Sequence, residues 1–246
     1  MRLLLIFTLF FPNICLAKGY NVKAIFKHID ELWVEQSLTA EIEMEIHTKN
    51  YDRILKLDYW GKGSDETLTI IKYPKREKGV TTLKVGDEMF NYLPNIARTV
   101  KITEALRSQS WMGSHFTNDD LMRATPLSRS FTGKVVKENK GKNYIIIKAK
   151  LKPGIVTPWK IIQIKYDVKR KVPLLQAYFS EKNELIRTIS YSKFKMTKNK
   201  LIPYEAKLSP KIEELKGEYT IMKYLKIDPD APIPDNYFTL SYIKNR

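Results

Sequence analysis

Apolar and polar residues alternate through most of this 246-residue chain, and no other feature constrains its fold as strongly. In residues 40–47, Ala, Ile, Met and Ile are separated by Glu, Glu, Glu and His. A period of two is typical of a β-strand with one buried face and one solvated face. Strand-like runs of this kind cover residues 40–47, 55–59, 66–73, 79–85, 88–93, 97–102, 130–138, 143–151, 159–168, 173–180, 185–195, 201–208 and 217–227.

Short turn sequences separate many of these runs. They are Gly61–Ser64, Gly86-Asp87, Asn139–Gly141, Glu181–Asn183 and Lys198–Lys200. Residues of these types form hairpin turns, which join antiparallel neighbours, whereas parallel strands need a long crossover. We therefore predict one curved antiparallel sheet in a single domain over residues 18–246, a length that all-β chains fold as one unit.

The clearest helical pattern precedes the first strand and covers residues 21–36. Its apolar side chains are spaced to line one face of a helix with 3.6 residues per turn. They are Val22, Ile25, Phe26, Ile29, Leu32 and Trp33. We expect this apolar stripe to pack against the apolar face of the sheet. A last short helix is predicted from Asp235, after a proline-rich loop.

Residues 103–129 interrupt the strand pattern in the middle of the chain. The segment is too long for an ordinary hairpin loop, so we expect either a functional loop or a second packing element. A short helix is predicted within it, capped at Thr117 or Asn118, with Asp119 and Asp120 in its first turn.

The first 17 residues have the features of a cleavable secretory signal. A positive start is followed by an apolar run over residues 3–11 and by a small residue at Ala17. Cys15 follows Pro-Asn-Ile, which lacks the small residue expected before a lipidated cysteine. We therefore predict export with cleavage near Ala17, and no lipid anchor.

The chain is strongly basic. It has 43 Lys and Arg against 27 Asp and Glu, which gives a formal net charge of +16. Such an excess attracts polyanions. Export argues against nucleic acid and leaves anionic lipid headgroups or acidic envelope partners. In the alternative reading, the lysines that alternate with apolar residues only form a solvated sheet face.

The sequence contains no recognisable motif for catalysis or metal binding. His28, His47 and His115 form no HxH or HExxH arrangement, and the single cysteine, Cys15, lies in the predicted signal. Neither a GxSxG elbow nor a glycine-rich phosphate loop occurs. We therefore predict no catalytic residue, no metal site and no cofactor, and we expect a protein that is not an enzyme.

Large, soft apolar side chains are the remaining signal. Methionines and aromatic residues line adaptable apolar cavities, and one helix does not have to fill the concave face of so many strands. The alternative for each of these residues is ordinary core. The predicted lipid-binding residues are Met44, Trp60, Phe90, Tyr92, Trp111, Met112, Phe116 and Met122.

Two stretches resemble a known family. They are MFNYLPNIARTVKI, residues 89–102, and SWMGSHFTNDDLMR, residues 110–123, and they resemble the outer membrane lipoprotein-sorting proteins, relatives of the Lol periplasmic carrier. The matching residues are Phe90, Tyr92, Leu93, Pro94, Arg98, Met112, Gly113, Ser114, Phe116, Asp120 and Leu121. Residues 234–239 resemble the end of the family's sequence. His115 departs from the pattern, because an acidic residue is common there.

The resemblance implies an unclosed β-barrel, wrapped around or lidded by helices, whose apolar cavity accepts acyl chains. By resemblance, the protein would be a periplasmic carrier of a lipid or lipoprotein within the cell envelope, with the outer membrane as one destination. It would contact a membrane surface or an inner-membrane transporter transiently. Arg98 and Lys101 are predicted to contact a headgroup or a partner. An envelope sensor or adaptor that binds a protein stays an alternative, and a lipid hydrolase is a weaker one.

Overall fold

The structure, a computed structural model, describes residues 19–32, 36–122, 126–155, 157 and 159–245. The predicted signal segment, with Cys15 and the cleavage point at Ala17, lies outside the described residues. Trp33 of the predicted helix also lies outside them.

Thirteen antiparallel strands form one sheet, as the alternation predicts. The sheet is curved and does not close, which confirms the predicted fold class. The strands are β1 Leu38–His47, β2 Asp52–Lys62, β3 Glu66–Tyr73, β4 Thr81–Val85, β5 Glu88–Leu93, β6 Arg98–Lys101, β7 Phe131–Asn139, β8 Tyr144–Leu151, β9 Ile161–Asp167, β10 Val172–Phe179, β11 Leu185–Thr197, β12 Lys200–Pro210 and β13 Tyr219–Pro229.

The strand order is β6-β5-β4-β3-β2-β1-β13-β12-β11-β10-β9-β8-β7. The sheet therefore has two arms, β1–β6 and β7–β13, and each arm is a meander of hairpins. The pairing of β1 with β13 joins the arms, with Leu38 opposite Pro229 and His47 opposite Tyr219. Strands β6 and β7 form the two edges, so the chain between them has to run from one edge of the sheet to the other.

The helices are short. They are α1 Val22–Asp30, α2 Glu104–Arg107, α3 Asn118–Met122, α4 Leu127–Ser130 and α5 Leu240–Lys244. Helix α1 begins as predicted, with the Asn21 side chain accepting a hydrogen bond from the backbone N–H of Ala24. It ends at Asp30, before the predicted end at residue 36, because Gln36 is already tied to the sheet by a hydrogen bond from Gly63 N–H to its carbonyl.

Each face of the sheet carries an apolar cluster. The larger cluster lies on the inner face, the face against which α1 packs through Phe26 and Ile29. A smaller cluster lies on the outer face, where the C-terminal residues Phe238 and Ile243 pack on Leu68, Ile70 and Leu83. The core is therefore split between two faces, and the inner face holds most of it.

Gly133 in β7 lies directly under α1. A Cβ atom built on this residue would lie 2.5 Å from Phe26 Cζ and 2.7 Å from Val22 Cγ1. Carbon atoms in contact prefer about 3.5–4.0 Å, so a side chain at this position would displace the helix. The absence of a Cβ at residue 133 lets α1 reach the sheet.

Gly133→Ala should lower the free energy of unfolding by about 1–3 kcal/mol, as overpacking of a core does. Gly141→Ala is the matched control, because the nearest atom to its added Cβ is 3.8 Å away. Urea denaturation of the two variants measures the difference. Equal stabilities would contradict a close approach of α1 at Gly133.

Candidate functional site

The candidate site is the concave inner face of the sheet, which we call the hollow; side chains from both arms line it, and side chains such as Trp111 fill it. Met44 and Leu55 contribute from β1 and β2, and Ile145, Ile147 and Ile164 contribute from β8 and β9; all five are 0% exposed. Since successive residues of a strand point to opposite faces, most inward positions of these strands are apolar. The floor of the hollow is therefore largely apolar, with Arg53 of β2 and Arg187 of β11 among the exceptions.

Residues 103–122, which we call the cover, lie over this hollow. They follow β6 at one edge of the sheet and lead towards β7 at the other edge. Trp111 and Phe116 of the cover are 2% and 7% exposed, and Met122 is 3% exposed. All three belong to the inner cluster, and Met112 and Leu121 pack against it. The underside of the cover is thus built from methionine, leucine and aromatic side chains.

Trp111 is fixed by a chain of hydrogen bonds to the hairpin β4–β5. Its indole Nε1–H donates to Thr82 Oγ1 at 2.9 Å, and the Thr82 hydroxyl donates to Asn91 Oδ1 at 2.7 Å. A buried indole N–H needs such an acceptor. These hydrogen bonds let the β4–β5 hairpin orient the cover. Asn91 also belongs to the stretch 89–102 that resembles the lipoprotein-sorting family.

A left-handed turn follows Trp111 and is held by Arg53 of β2 and by Tyr51, the residue before that strand. Met112 and Gly113 have φ angles of 51° and 69°. Arg53 Nη1 donates to the Met112 carbonyl at 3.1 Å, and Tyr51 Oη donates to the Gly113 carbonyl at 3.1 Å. A Cβ on Gly113 would lie 3.3 Å from Arg53 Nη1. Both the φ angle and the close approach explain a glycine at residue 113.

Helix α3 is fastened to the opposite arm by a buried ion pair. Arg187 of β11 donates to both carboxylate oxygens of Asp120, at 2.7 and 2.6 Å. Its guanidinium also lies 4.2 Å from the ring centre of Trp159 and 4.5 Å from that of Tyr178. Burial acts to lower the pKa of Arg187, but the charge and hydrogen bonds of Asp120 outweigh it and leave the pKa raised. Arg187 therefore keeps its positive charge in the interior.

The same carboxylate caps α3. Thr117 donates its backbone N–H to Asp120 Oδ2 at 2.8 Å, and Asp120 N–H donates to Thr117 Oγ1 at 3.2 Å. This reciprocal arrangement is a capping box, and it confirms Thr117 as the helix cap. Asp120 thus orders the helix and binds it to β11 at once.

The tyrosines beside Arg187 do not ionise at neutral pH. Burial raises the pKa of Tyr178 to about 12 and raises that of Tyr191 well above its ordinary value. Tyr178 Oη donates to Gln176 Oε1 at 2.5 Å, and Tyr191 Oη donates to the same atom at 3.3 Å. Both phenols therefore act as hydrogen-bond donors rather than as bases or nucleophiles.

His115 fastens the cover to β13 and its preceding turn. The backbone N–H of His115 donates to Thr220 Oγ1 at 3.1 Å, and its ring Nε2 lies 3.0 Å from Glu218 Oε2. Because a carboxylate only accepts, Nε2 carries a proton. The hydrogen bond from His115, aided by the Lys49 backbone N–H and opposed by burial, holds the pKa of Glu218 below its ordinary value. The residue that departs from the family pattern thus has a polar partner.

The structure brings five of the eight predicted lipid-binding residues together on the inner face. They are Met44, Trp111, Met112, Phe116 and Met122. The other three lie on the outer face. Trp60 and Tyr92 pack against the outer cluster, and Phe90 lies opposite Leu83 of that cluster.

The two predicted headgroup cations lie on edge strand β6. Arg98 is exposed. Lys101 forms an ion pair with Glu88 and lies 5.8 Å from the ring centre of Phe90. Lys101 therefore shares the outer face with Phe90, whereas Arg98 lies opposite Leu93, which packs against the inner cluster.

Sequence reasoning missed Arg187, Thr82 and Thr220. Arg187 could have been recognised from the sequence, because strand alternation places it on the same inward face of β11 as the buried Ile189. A charged residue at an inward position calls for a buried partner. The threonines carry no comparable signal, since their hydroxyls fit any half-buried strand.

Two features are absent from the described residues. Among the described residues, no group of three or more His, Cys, Asp or Glu is placed to hold a metal ion. In the same part of the chain, no helix has the length and apolar character needed to cross a membrane.

Arg187→Met should lower the free energy of unfolding by about 3 kcal/mol, because it leaves Asp120 charged without its partner in the interior. Lys216→Met is the control, since the Lys216–Glu213 pair is exposed and worth less than about 1 kcal/mol. Urea denaturation measures both, and hydrogen exchange of residues 103–122 shows whether the cover loosens. Equal costs for the two variants would contradict a clamping role.

The lowered pKa of Glu218 gives a pH dependence. Its hydrogen bond with His115 contributes stability above the ordinary carboxyl pKa of 4.5, and the contribution is lost as the pH falls through the lower folded-state pKa. Thermal melts of the native protein and Glu218→Gln should therefore differ near neutral pH and converge below pH 4.5. A gap that stays constant with pH would rule out this role for the carboxylate.

Comparison with solved structures identifies proteins of the same fold. The chain is similar to a DUF1329 family protein from Desulfovibrio piger, with a TM-score of 0.79, 17% identity, and coverage of 90% of this chain and 97% of the other. It is also similar to a domain described as an outer membrane lipoprotein-sorting protein from Vibrio parahaemolyticus, with a TM-score of 0.76, 18% identity, and coverage of 92% and 98%.

A LolA superfamily protein from Nitrosomonas europaea is a third neighbour, with a TM-score of 0.73, 16% identity, and coverage of 89% of this chain and 98% of the other. These likenesses confirm the fold that the sequence resemblance implied. A search of the curated proteins found no match. A family model with the description "Uncharacterized protein" matches residues 63–245, more than half of the chain, and the protein therefore belongs to that family.

Proposed function

We propose that the protein is a periplasmic carrier that binds the acyl chain of a lipid or lipoprotein in the hollow and moves it within the cell envelope. The observation that carries this proposal is the construction of the cover. Its underside is apolar and soft, with Trp111, Met112 and Phe116 facing the hollow. The groups that fasten it, such as the Arg187–Asp120 pair, are polar. A guest chain would take the place of the underside when the cover moves away.

Three further observations support a carrier. The fold is shared with proteins described as lipoprotein-sorting and LolA proteins. The first 17 residues read as an export signal. Methionine and aromatic side chains repack around guests of different shape more easily than branched side chains do. The hydroxyl of Thr220 does lie 2.8 Å from His115 Nδ1, but Thr220 is 0% exposed, so the pair fastens the cover rather than facing a guest.

The energies are compatible with reversible binding. Each methylene removed from water contributes about 0.8 kcal/mol. Breaking the Arg187–Asp120 clamp costs about 3 kcal/mol. Roughly four buried methylenes would offset the loss of that pair. The other fastenings of the cover and the exposure of Trp111 and Phe116 add to the cost, so only a long acyl chain has enough apolar surface to open the cover.

The test is native mass spectrometry of protein extracted gently from its own periplasm. If the protein is a carrier, its mass spectrum should show a bound phospholipid or acylated lipoprotein. Phe116→Glu should remove the bound lipid, because a carboxylate under the cover makes the hollow costly for an acyl chain. Phe90→Glu is the matched control on the outer face and should keep the lipid.

If Phe116→Glu does not fold, the uptake of a fatty acid by a second variant tests the proposal. Arg187→Met should take up a fluorescent fatty acid faster than the native protein, because its cover is held by one contact fewer. Absence of lipid in the native protein, together with unchanged uptake by Arg187→Met, would overturn the proposal. A tightly bound protein partner in the same spectra would instead favour the adaptor alternative.

A further inference from the structure

The outer surface of strands β7–β9 is rich in lysine, and we call four of its lysines the lysine face: Lys134, Lys148, Lys150 and Lys165. Their positions follow from the strand alternation, because Ile145, Ile147 and Ala149 of β8 are 0% exposed on the inner face. The residues between them therefore point outward. Lys134 and Lys150 are exposed, and Lys148 is partly exposed.

The register places two of these lysines directly opposite each other. Lys134 of β7 is the partner of Lys148 of β8, and Lys148 is in turn the partner of Gln163 of β9. Like charges at directly opposed positions destabilise a sheet. Among the described residues, Lys134, Lys148 and Lys150 form no ion pair, while Lys165 lies 4.4 Å from the ring centre of Tyr144. The lysine face thus holds uncompensated positive charge.

In strands β1, β2 and β13, by contrast, outward lysines lie opposite a carboxylate. Glu43 of β1 is opposite Lys56 of β2 and Lys223 of β13. Its carboxylate lies 3.7 Å from Lys56 Nζ and 3.8 Å from Lys223 Nζ. The outward positions of β7–β10 include one carboxylate, Asp167, but it lies opposite Tyr144 and Val172 and accepts hydrogen bonds from the backbone N–H groups of Lys169 and Arg170. The other outward positions are Thr132, Lys134, Lys137, Asn139, Tyr144, Ile146, Lys148, Lys150, Ile161, Gln163, Lys165, Leu175, Ala177 and Phe179. The outer face of the sheet therefore has one region in which lysines are paired with a carboxylate and another in which the positive charge of the lysines is not compensated.

The carboxylates that come nearest along the chain are already engaged. Glu138, at the end of β7, accepts a hydrogen bond from Tyr20 Oη at 2.7 Å. Glu181, in the turn after β10, pairs with Lys160 at 3.0 Å. Neither supplies a partner for the opposed lysines.

A groove on the same surface adds apolar contact to the charge. It has a volume of about 390 Å³ and is lined by Lys148, Ile161, Gln163, Phe179 and Asn183. An ammonium group stands beside isoleucine and phenylalanine side chains. This combination suits a phosphate group that is attached to apolar chains, as in a phospholipid headgroup region.

We propose that the lysine face is a docking surface for membranes that contain anionic phospholipid. Lipid phosphates bind the ammonium groups of Lys134 and Lys148 and remove their mutual repulsion, while Ile161 and Phe179 meet the boundary between headgroups and acyl chains. Mobile lipids can match any spacing of charges, whereas a folded acidic partner would need a fixed pattern of hydrogen bonds. The proposal goes beyond acyl binding, because docking requires no guest in the hollow.

The experiment is co-sedimentation of the full protein with vesicles of phosphatidylcholine, alone or mixed with phosphatidylglycerol. Binding should require phosphatidylglycerol and should weaken as salt is raised, because salt screens exposed charges. The double variant Lys134→Gln with Lys148→Gln should bind the mixed vesicles about 25-fold more weakly, from about fivefold per lysine. Its thermal stability should equal or exceed that of the native protein, because the opposed charges are gone.

The matched control is Lys211→Gln with Lys226→Gln, which makes the same charge change at two other exposed lysines. It should stay within about twofold of the native protein, since these lysines lie outside the docking face. Equal losses in both double variants, or equal binding to both vesicle types, would overturn the proposal. Phe116→Glu separates the two functions: it should lose its lipid guest and still dock, so docking is tested whether or not the carrier proposal holds.

Discussion

The pairing of β1 with β13 is the contact on which the rest of the architecture depends. It joins two strands that are about 180 residues apart in the chain, and it fuses two meanders into one sheet. Without it, each arm would have one more unpaired edge. With it, β6 and β7 are the two edges among the described strands, and residues 103–122 of the chain between them lie on the inner face. The cover is thus a result of strand order as much as of its own sequence.

This dependence explains which parts of the structure could be predicted. Strands β3 and β5 have the bounds that alternation predicted, because burial of one face enforces a period of two. The two-residue alternation of β5 also predicts that Phe90 and Tyr92 share one face of the sheet, but it does not determine whether that face is the inner or the outer one. The packing of the C-terminal segment against Tyr92 decides that, and no local pattern contains it.

The site itself depends on partners that are distant in sequence. Arg187 and Asp120 are separated by 67 positions, and His115 and Thr220 by 105. The inward position of Arg187 could be read from the strand period, but its partner could not. The end of α1 was missed for a similar reason, since the tie between Gln36 and Gly63 overrides a helical pattern. Local periodicity fixes which way a side chain points, whereas the topology fixes what it meets.

The outer cluster has a consequence for quality control in the cell. Residues 233–243 lie over strands that are made much earlier, and Phe238 and Ile243 are 4% and 2% exposed there. A copy shortened before residue 233 could still form its sheet, but it would present Trp60, Leu68 and Leu83 to solvent. Exposed patches of this kind are what chaperones and proteases bind. Residues 233–243 therefore keep an apolar patch of the sheet covered.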